Sequence, residues 1–330
     1  LSGGEALRVM RVGSLSTITL NTLTIKEGRA SGASTAENSG GGIYNDGTLT
    51  LRRSSLSHNH ASREGGGLYN NGGRVTLKES TVSTNEARLH GGGISNRQTG
   101  SIQLENSTIE GNHAGTWGGG IYNLGTTRGT NTTVANNIAG EAGGALLNTG
   151  AQAMLDLKHA TIAGNHADLF GGGICNTGTL NLANSIIAKN TAFFGPDVEG
   201  SLDSSGAGNL IGDPGGITGG YDGLEGDPRL APLADNGGPT LTMALLAGSP
   251  ALDQVDGSDD TPATDQRGLP RIMNTMADLG AIEADPASLQ GYDSWAAASI
   301  PEGLDRSFSG DADGDGAPNG LEFGIGTLPD

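Results

Sequence analysis

Apolar residues recur along this chain as pairs with one residue between them: Ile18/Leu20, Leu49/Leu51, Val75/Leu77, Ile102/Leu104, Leu155/Leu157 and Leu180/Leu182. Each pair stands seven and five residues before a third apolar residue, respectively Ile25, Leu56, Val82, Ile109, Ile162 and Ile187. Alternation of period two puts both members of a pair on one face of an extended segment. Gly-rich boxes mark each unit: GGGIYN (40–45), GGGLYN (65–70), GGGISN (91–96), GGGIYN (118–123), GGALLN (143–148) and GGGICN (171–176). Their closing asparagines, Asn45, Asn70, Asn96, Asn123, Asn148 and Asn176, follow one another at intervals of 25 to 28 residues. Three residues beyond these anchors, Ile25 excepted, stands a second asparagine line, which Asn137 continues in the intervening coil: Asn59, Asn85, Asn112, Asn137, Asn165 and Asn190.

So short and regular a period belongs to repeat architectures, in which each unit covers its neighbour's apolar face and none folds alone. A unit of this length with three apolar segments leaves no room for a helix. It predicts an all-β solenoid, a parallel β-helix with three short strands per coil, successive coils rising by about 4.8 Å. The glycines supply positive φ or close backbone approach at the bends. An asparagine amide both donates and accepts, so stacked corner asparagines are expected to form hydrogen-bonded ladders from coil to coil. One coil carries Thr127 and Gly129 where the leucine pair belongs, and a thinner core is expected there.

Charge divides the chain. Up to Ala192 there are 14 Lys/Arg against 12 Asp/Glu, and from Phe193 onward 4 against 24, so the net −18 belongs to the C-terminal part. That balance speaks against nucleic-acid binding, which needs a basic face, and favours divalent cations or solubility. The single cysteine, Cys175, excludes an internal disulfide. No apolar run approaches the roughly 18 residues of a membrane span. Repeat-like sequence begins at once after Leu1, which suggests further coils or an export signal upstream. The expected organisation is regular coils over 1–192, a C-terminal end or cap segment over 193–287, and an acidic tail over 288–330.

The alternation of GGGIYN with TIEGNHA resembles the GGA[IL] and FxxN repeats of polymorphic outer-membrane proteins, with Ser57, Glu110 and Ala163 standing where those repeats have Phe. The words GNLIG (208–212), GDPRLAPLADNGGPTLTMALLAGSPALD (226–253), TDQRGLPR (264–271) and DLGAIEA (278–284) are similar to the end of the bacterial choice-of-anchor Q domain. These resemblances imply a right-handed parallel β-helix on an exported bacterial protein, held at the cell surface or released outside the cell. They bring no catalytic residues. The chain stops at GTLPD, and a sorting segment is expected beyond it.

One motif carries definite chemistry. In DADGDGAPNGLE, Asp311, Asp313, Asp315, Gly316, Asn319 and Glu322 occupy positions 1, 3, 5, 6, 9 and 12 of an EF-hand-type calcium loop. Carboxylates on alternate residues converge on one Ca²⁺, Gly316 allows the bend, Ala317 offers its carbonyl at position 7, and Glu322 binds bidentately. The flanking GLEFGIGTLPD resembles the calcium-binding tails of dockerin and thrombospondin type 3 modules. The alternative is an acidic solvated tail, which has no reason to hold Gly and Glu in that register.

Weaker constellations stand beside it. His60, His113 and His166 share one repeat position, but Glu86 and Ile138 intervene, so the histidines are spaced about 9.6 Å apart, too far to share one metal. Tyr44, Tyr69 and Tyr122 suggest either packing or a sugar-stacking strip. Asp256, Asp259 and Asp260 form an acidic cluster without a ligand template. Glu79, Glu105, Glu110 and Asp156 are the coil acids available to a polysaccharide lyase or glycoside hydrolase, whose chemistry needs opposed carboxylates or a cation-assisted base. Against that stands a non-enzymatic adhesin, surface-layer component or fibre subunit, self-associating end to end through open sheet edges, and third, a glycan-binding module without turnover. Replacing Asp313 and Glu322 with Ala is expected to abolish calcium-dependent protection of the tail in limited proteolysis; equal resistance of variant and parent in calcium would contradict the loop assignment.

Overall fold

The computed structural model describes residues 1–203, 208–257, 261–273 and 276–285, together with the isolated residues 289, 300, 304, 307 and 310. Every strand pairing in it is parallel and in register from unit to unit. Three sheets run the length of the solenoid among the described residues. The first stacks nine strands built on the boxes, from Met10–Val12 through Ile43–Asn45 and Ile174–Asn176 to Ile217–Thr218. The second joins the leucine-pair strands, such as Thr48–Arg52, to the anchor strands, such as Ser55–Ser57. A third, six-stranded sheet of two-residue strands, such as His60–Ala61, follows the second asparagine line.

Period-two alternation does what the pattern demands. Val75 pairs in register with Leu49 and Ile102, Leu77 with Leu51 and Leu104, and all are buried in one aliphatic column. Between leucine pair and anchor each coil places a residue in the left-handed region, for example Arg53, Glu79 and Asn106, and likewise Asn131 and His159, which lie inside longer strands. Thr126–Ala135 and Met154–Ala163 run as continuous ten-residue strands and fuse both halves into one sheet. In the exceptional coil Leu157 Cδ2 stands 2.8 Å from where a Cβ at Gly129 would lie. Thr127, fully buried, donates from Oγ1 to Asn123 Oδ1 at 2.9 Å, which satisfies the hydroxyl the core would otherwise leave unpaired.

The boxes need glycine for two reasons. The first glycine of each, such as Gly65 at φ 64°, lies in the left-handed region. At the second, such as Gly66, a Cβ would come within 2.4 Å of the carbonyl oxygens of Glu86 and Gly92.

Residues 198–225 add further strands at the end of the sheets. From about residue 228 the chain turns back and lies along the flank of the coils as a strap with short antiparallel bridges, Leu230 to Leu245, Ala234 to Thr242 and Val255 to Ala277. Leu230, Met243, Leu245, Val255 and Leu279 cover the outer faces of Ala135, Ala163, Ile186 and Ala188 in a second apolar core. Hydroxyls on the anchor strands fix the strap. Thr108 Oγ1 donates to Leu241 O at 2.6 Å, Thr133 Oγ1 to Gln266 Oε1 at 2.7 Å, and Ala281 N donates to Thr161 Oγ1 at 2.9 Å. The words GDPRLAPLADNGG, TDQRGLPR and DLGAIEA are therefore the strap itself.

Both asparagine lines are hydrogen-bonded ladders. In the box line each Nδ2 donates to the next Oδ1 at 2.7–2.9 Å, from Asn45 to Asn176. In the second line the corresponding bonds are 2.9 Å, and each backbone N–H bonds the same Oδ1 at 2.9–3.0 Å. The same Nδ2 groups also donate to main-chain carbonyls, as Asn112 does to Val82 at 2.9 Å. Breaking a middle rung leaves several buried groups unpaired, at about 1–3 kcal/mol each. Asn112→Ala should lower the unfolding free energy by at least about 2 kcal/mol, whereas Asn71→Ala, on the exposed side of the box corner, should change it by less than about 0.5 kcal/mol; equal effects in denaturant titration would refute the ladder's role.

Candidate functional site

The twelve ladder asparagines are structural corners, and the second line ends in a way that explains their polarity. Asn190 donates from N and Nδ2 to Asp197 Oδ1 at 3.0 and 2.9 Å, while Asp197 Oδ2 accepts from Asp213 N at 2.7 Å. The final position needs only acceptors, which is what a carboxylate offers. Burial pushes the Asp197 carboxyl up, against the hydrogen bonds that favour its charged form. The box line ends on the main chain, with Asn176 Nδ2 donating to Ser201 O at 2.8 Å.

A third ladder went unread in the sequence. Two residues before the anchors stand Ser54, Ser80, Ser107, Thr132 and Ser185, all buried. The N–H of Ser54 donates to Ser80 Oγ at 3.1 Å and that of Ser80 to Ser107 Oγ at 3.2 Å. The recurrence of Ser or Thr at that offset was the available signal.

The coil acids are tied to neighbouring coils. Glu79 pairs with Arg53 at 2.5 Å, Glu105 with Lys78 at 3.1 Å and Asp156 with Arg128 at 3.7 Å. Burial raises the Glu110 carboxyl above its ordinary range, partly offset by a hydrogen bond from Ser83. Arg53 and Glu79 line a shallow groove of about 370 Å³ beside Pro239 of the strap. Among the described residues no group of three or more His, Cys, Asp or Glu is placed to hold a metal. His60 and His113 each pair in register with Glu86, and His113 and His166 with Ile138, as their spacing implied. Asp311, Asp313, Asp315, Ala317, Asn319 and Glu322 lie outside the described residues, as do Asp259 and Asp260; Asp256 is exposed.

Under the strap sits a buried polar cluster. Arg271, fully buried, donates from Nη1 to Gly280 O at 3.0 Å and from Nη2 to Ala281 O at 3.1 Å and to Asn131 Oδ1. Burial pulls its pKa down to about 10, which leaves it charged at neutral pH among Asp265, Glu283 and Asp278. Asp265 Oδ1 accepts the N–H of Arg267 and Leu269 at 2.8 and 3.1 Å, and Asp278 Oδ2 accepts that of Ala284 at 2.7 Å. These carboxylates are occupied in holding the loops that hold the strap.

A surface of different character occupies the opposite side of the boxes. All seven Phe, Tyr and Trp residues of positions 1–200 belong to it: Tyr44, Tyr69, Trp117, Tyr122, Phe170, Phe193 and Phe194. The three tyrosines are buried, Tyr44 and Tyr69 packing ring to ring at 5.1 Å. Arg8 and Arg11 lie 5.1 and 4.9 Å from the Tyr44 ring centroid. Packing is therefore the tyrosines' role, and the accessible rings are others: Trp117 is 37% exposed, Phe170 39%, Phe194 49% and Phe193 75%. Trp117, Phe170 and Phe194 each immediately precede the first glycine of a unit, a position filled in the other coils by Glu64, His90 and Ala142. Parallel bridges stack these six positions in one column. Cys175 is a free thiol in the apolar patch with Tyr122, Ala142 and Leu147, and burial raises it to about 11.

These features define a parallel β-solenoid with an aromatic outer column and a strapped flank. The Chlamydia polymorphic membrane protein repeat matches residues 106–124, a span that holds the anchor Ile109, one rung of each asparagine ladder, Trp117 and a complete box. No curated protein and no solved structure matches the chain.

The strap makes stability pH-dependent with opposing signs. His159, fully buried in the left-handed region, meets Asn184 Nδ2 through Nε2 at 3.2 Å, and burial followed by the charges of Arg271 and Lys158 lowers its pKa to about 3. The unfolded imidazole binds a proton below about 6.5, so stability is full above that pH and declines as pH falls toward 3. Burial raises Glu283 to about 7, so its folded form takes up a proton first and stability rises as pH falls from 7 toward the ordinary carboxylate range. Asn stands at the positions equivalent to His159 in three coils, Asn106, Asn131 and Asn184. The stability advantage of His159→Asn over the parent should therefore grow as pH falls from 6.5 to 4.5, while Glu283→Gln should lose ground; pH-independent differences in melting temperature would contradict both assignments.

Proposed function

We propose that the chain is a non-catalytic β-helix displayed outside a bacterial cell, serving as an adhesin or structural subunit of the envelope. The observation that carries this reading is the polymorphic membrane protein repeat at 106–124, which coincides with the coil register of the solenoid. Display rather than cleavage is supported by the cross-coil ion pairs of Glu79, Glu105 and Asp156, which tie these acids to the scaffold. It is further supported by the aromatic column, since soluble monomers rarely leave such rings in contiguous exposure without a partner. In the same reading the loop at 311–322 holds Ca²⁺ in a calcium-rich exterior, and coils associate with other surface components or end to end.

Surface labelling tests it. On intact producing cells a membrane-impermeant amine reagent should modify Lys26, Lys78 and Lys158 of the coils to the extent seen after lysis. Modification only after lysis would contradict display.

A further inference from the structure

We propose that the aromatic column holds a binding slot for a neutral pyranose ring, with Trp117 and Phe170 as its walls and Ala142 as its floor. This inference rests on the surface-display reading for its biological sense and on the following geometry for its chemistry.

The column runs Glu64, His90, Trp117, Ala142, Phe170, Phe194, one residue per coil. Its rings lie across the solenoid axis. His90 and Trp117, one coil apart, stack at 4.5 Å with planes 10° apart, and Phe170 and Phe194 do so at 5.3 Å and 16°. Between these two stacks stands Ala142, 7% exposed and packed in the apolar patch of Tyr122, Leu147 and Cys175. Trp117 and Phe170 are thus two coil steps apart in the column, about 9.6 Å by the sheet spacing, and the position between them carries no ring. Each wall is backed on its far side by another ring, so both faces turned to the gap are fixed in position before any ligand arrives.

Edge chemistry selects the occupant. Glu141, next to Ala142 and exposed, accepts a hydrogen bond from Trp117 Nε1 at 2.8 Å and has further lone pairs at the rim. A pyranose is apolar on both faces and carries hydroxyl donors around its edge, so it fills the gap and gives Glu141 a partner. A phenyl side chain would fill the gap while covering that carboxylate without donating to it, a desolvation penalty with no return. An acidic sugar would meet the Glu141 carboxylate at the rim.

The test uses the full chain in native affinity electrophoresis against cellulose, xylan, mannan and chitin derivatives, with Trp fluorescence followed in a Trp295→Phe background so that Trp117 reports alone. The expected result is retardation by at least one neutral glycan with a change in Trp117 emission. Trp117→Ala and Phe170→Ala should each weaken binding at least tenfold. The decisive variant is Ala142→Phe, which completes the stack of rings, should leave the melting temperature unchanged or higher, and should abolish binding by filling the slot. Absence of retardation on every glycan, binding undiminished in Ala142→Phe, or emission changes with phenol but not with methyl glycosides would each overturn the inference. Surface labelling without glycan binding would remove this inference alone, and glycan binding by a chain labelled only after lysis would remove the display reading alone.

Discussion

The corner is the constraint on which this molecule depends. A backbone that turns at every few residues takes its N–H and C=O groups out of the sheet ladder, and each buried group left unpaired costs about 1–3 kcal/mol. Stacked asparagines solve this because one amide serves four neighbouring residues. Asn112 accepts from Asn85 N and Nδ2, and donates to Asn137 Oδ1 and to the carbonyls of Val82 and Glu110. The same head-to-tail polarity forces the end of the line to differ, and Asp197 supplies it. Register follows, since a slip of one residue would place Gly111 or His113 in the ladder and Gln103 or Glu105 in the leucine column.

With the interior committed to aliphatic side chains, bulk and chemistry are exported to the outer faces. The strap covers the anchor-strand face from Thr108 onward and brings its own buried charge, Arg271, with carboxylates around it. A buried cation with three of its donor bonds directed to named acceptors is specific rather than strongly stabilising, because removing it from water offsets much of what the partners return. On the other side of the boxes the rings form a column whose spacing is set by the sheet rather than by the rings. The solenoid thereby holds flat side chains at fixed intervals along a rigid rod, an arrangement suited to binding repeating polymers.

Most of the scaffold was legible because period and residue type coincide. Ile102/Leu104 and Ile109 could be placed inside, and Asn96 and Asn112 at corners, from offsets alone. The strap was not, because its apolar residues follow no repeat period and its polar contacts are single hydroxyls, Thr108, Thr133 and Thr161, whose partners lie more than a hundred residues away. The serine ladder was visible in principle but masked by the neighbouring S/T-[ILV] pattern. The aromatic column was not legible because it stands just before the boxes rather than in them, unlike Tyr44, Tyr69 and Tyr122. There the identities vary, Glu64, His90, Trp117, Ala142, Phe170, Phe194, so no motif repeats; only the shared geometric position reveals the column. The calcium loop remains a reading of spacing.

Amide hydrogen exchange on the full chain tests the ladder scaffold most directly. If stacked asparagines hold the corners, the backbone amides of Asn59, Asn85, Asn112, Asn137 and Asn165 will be among the slowest to exchange, opening only with global unfolding, while amides of the strap exchange sooner by local detachment. Corner amides that exchange as fast as the exposed turn at Asn71, with the intervening strands still protected, would contradict it.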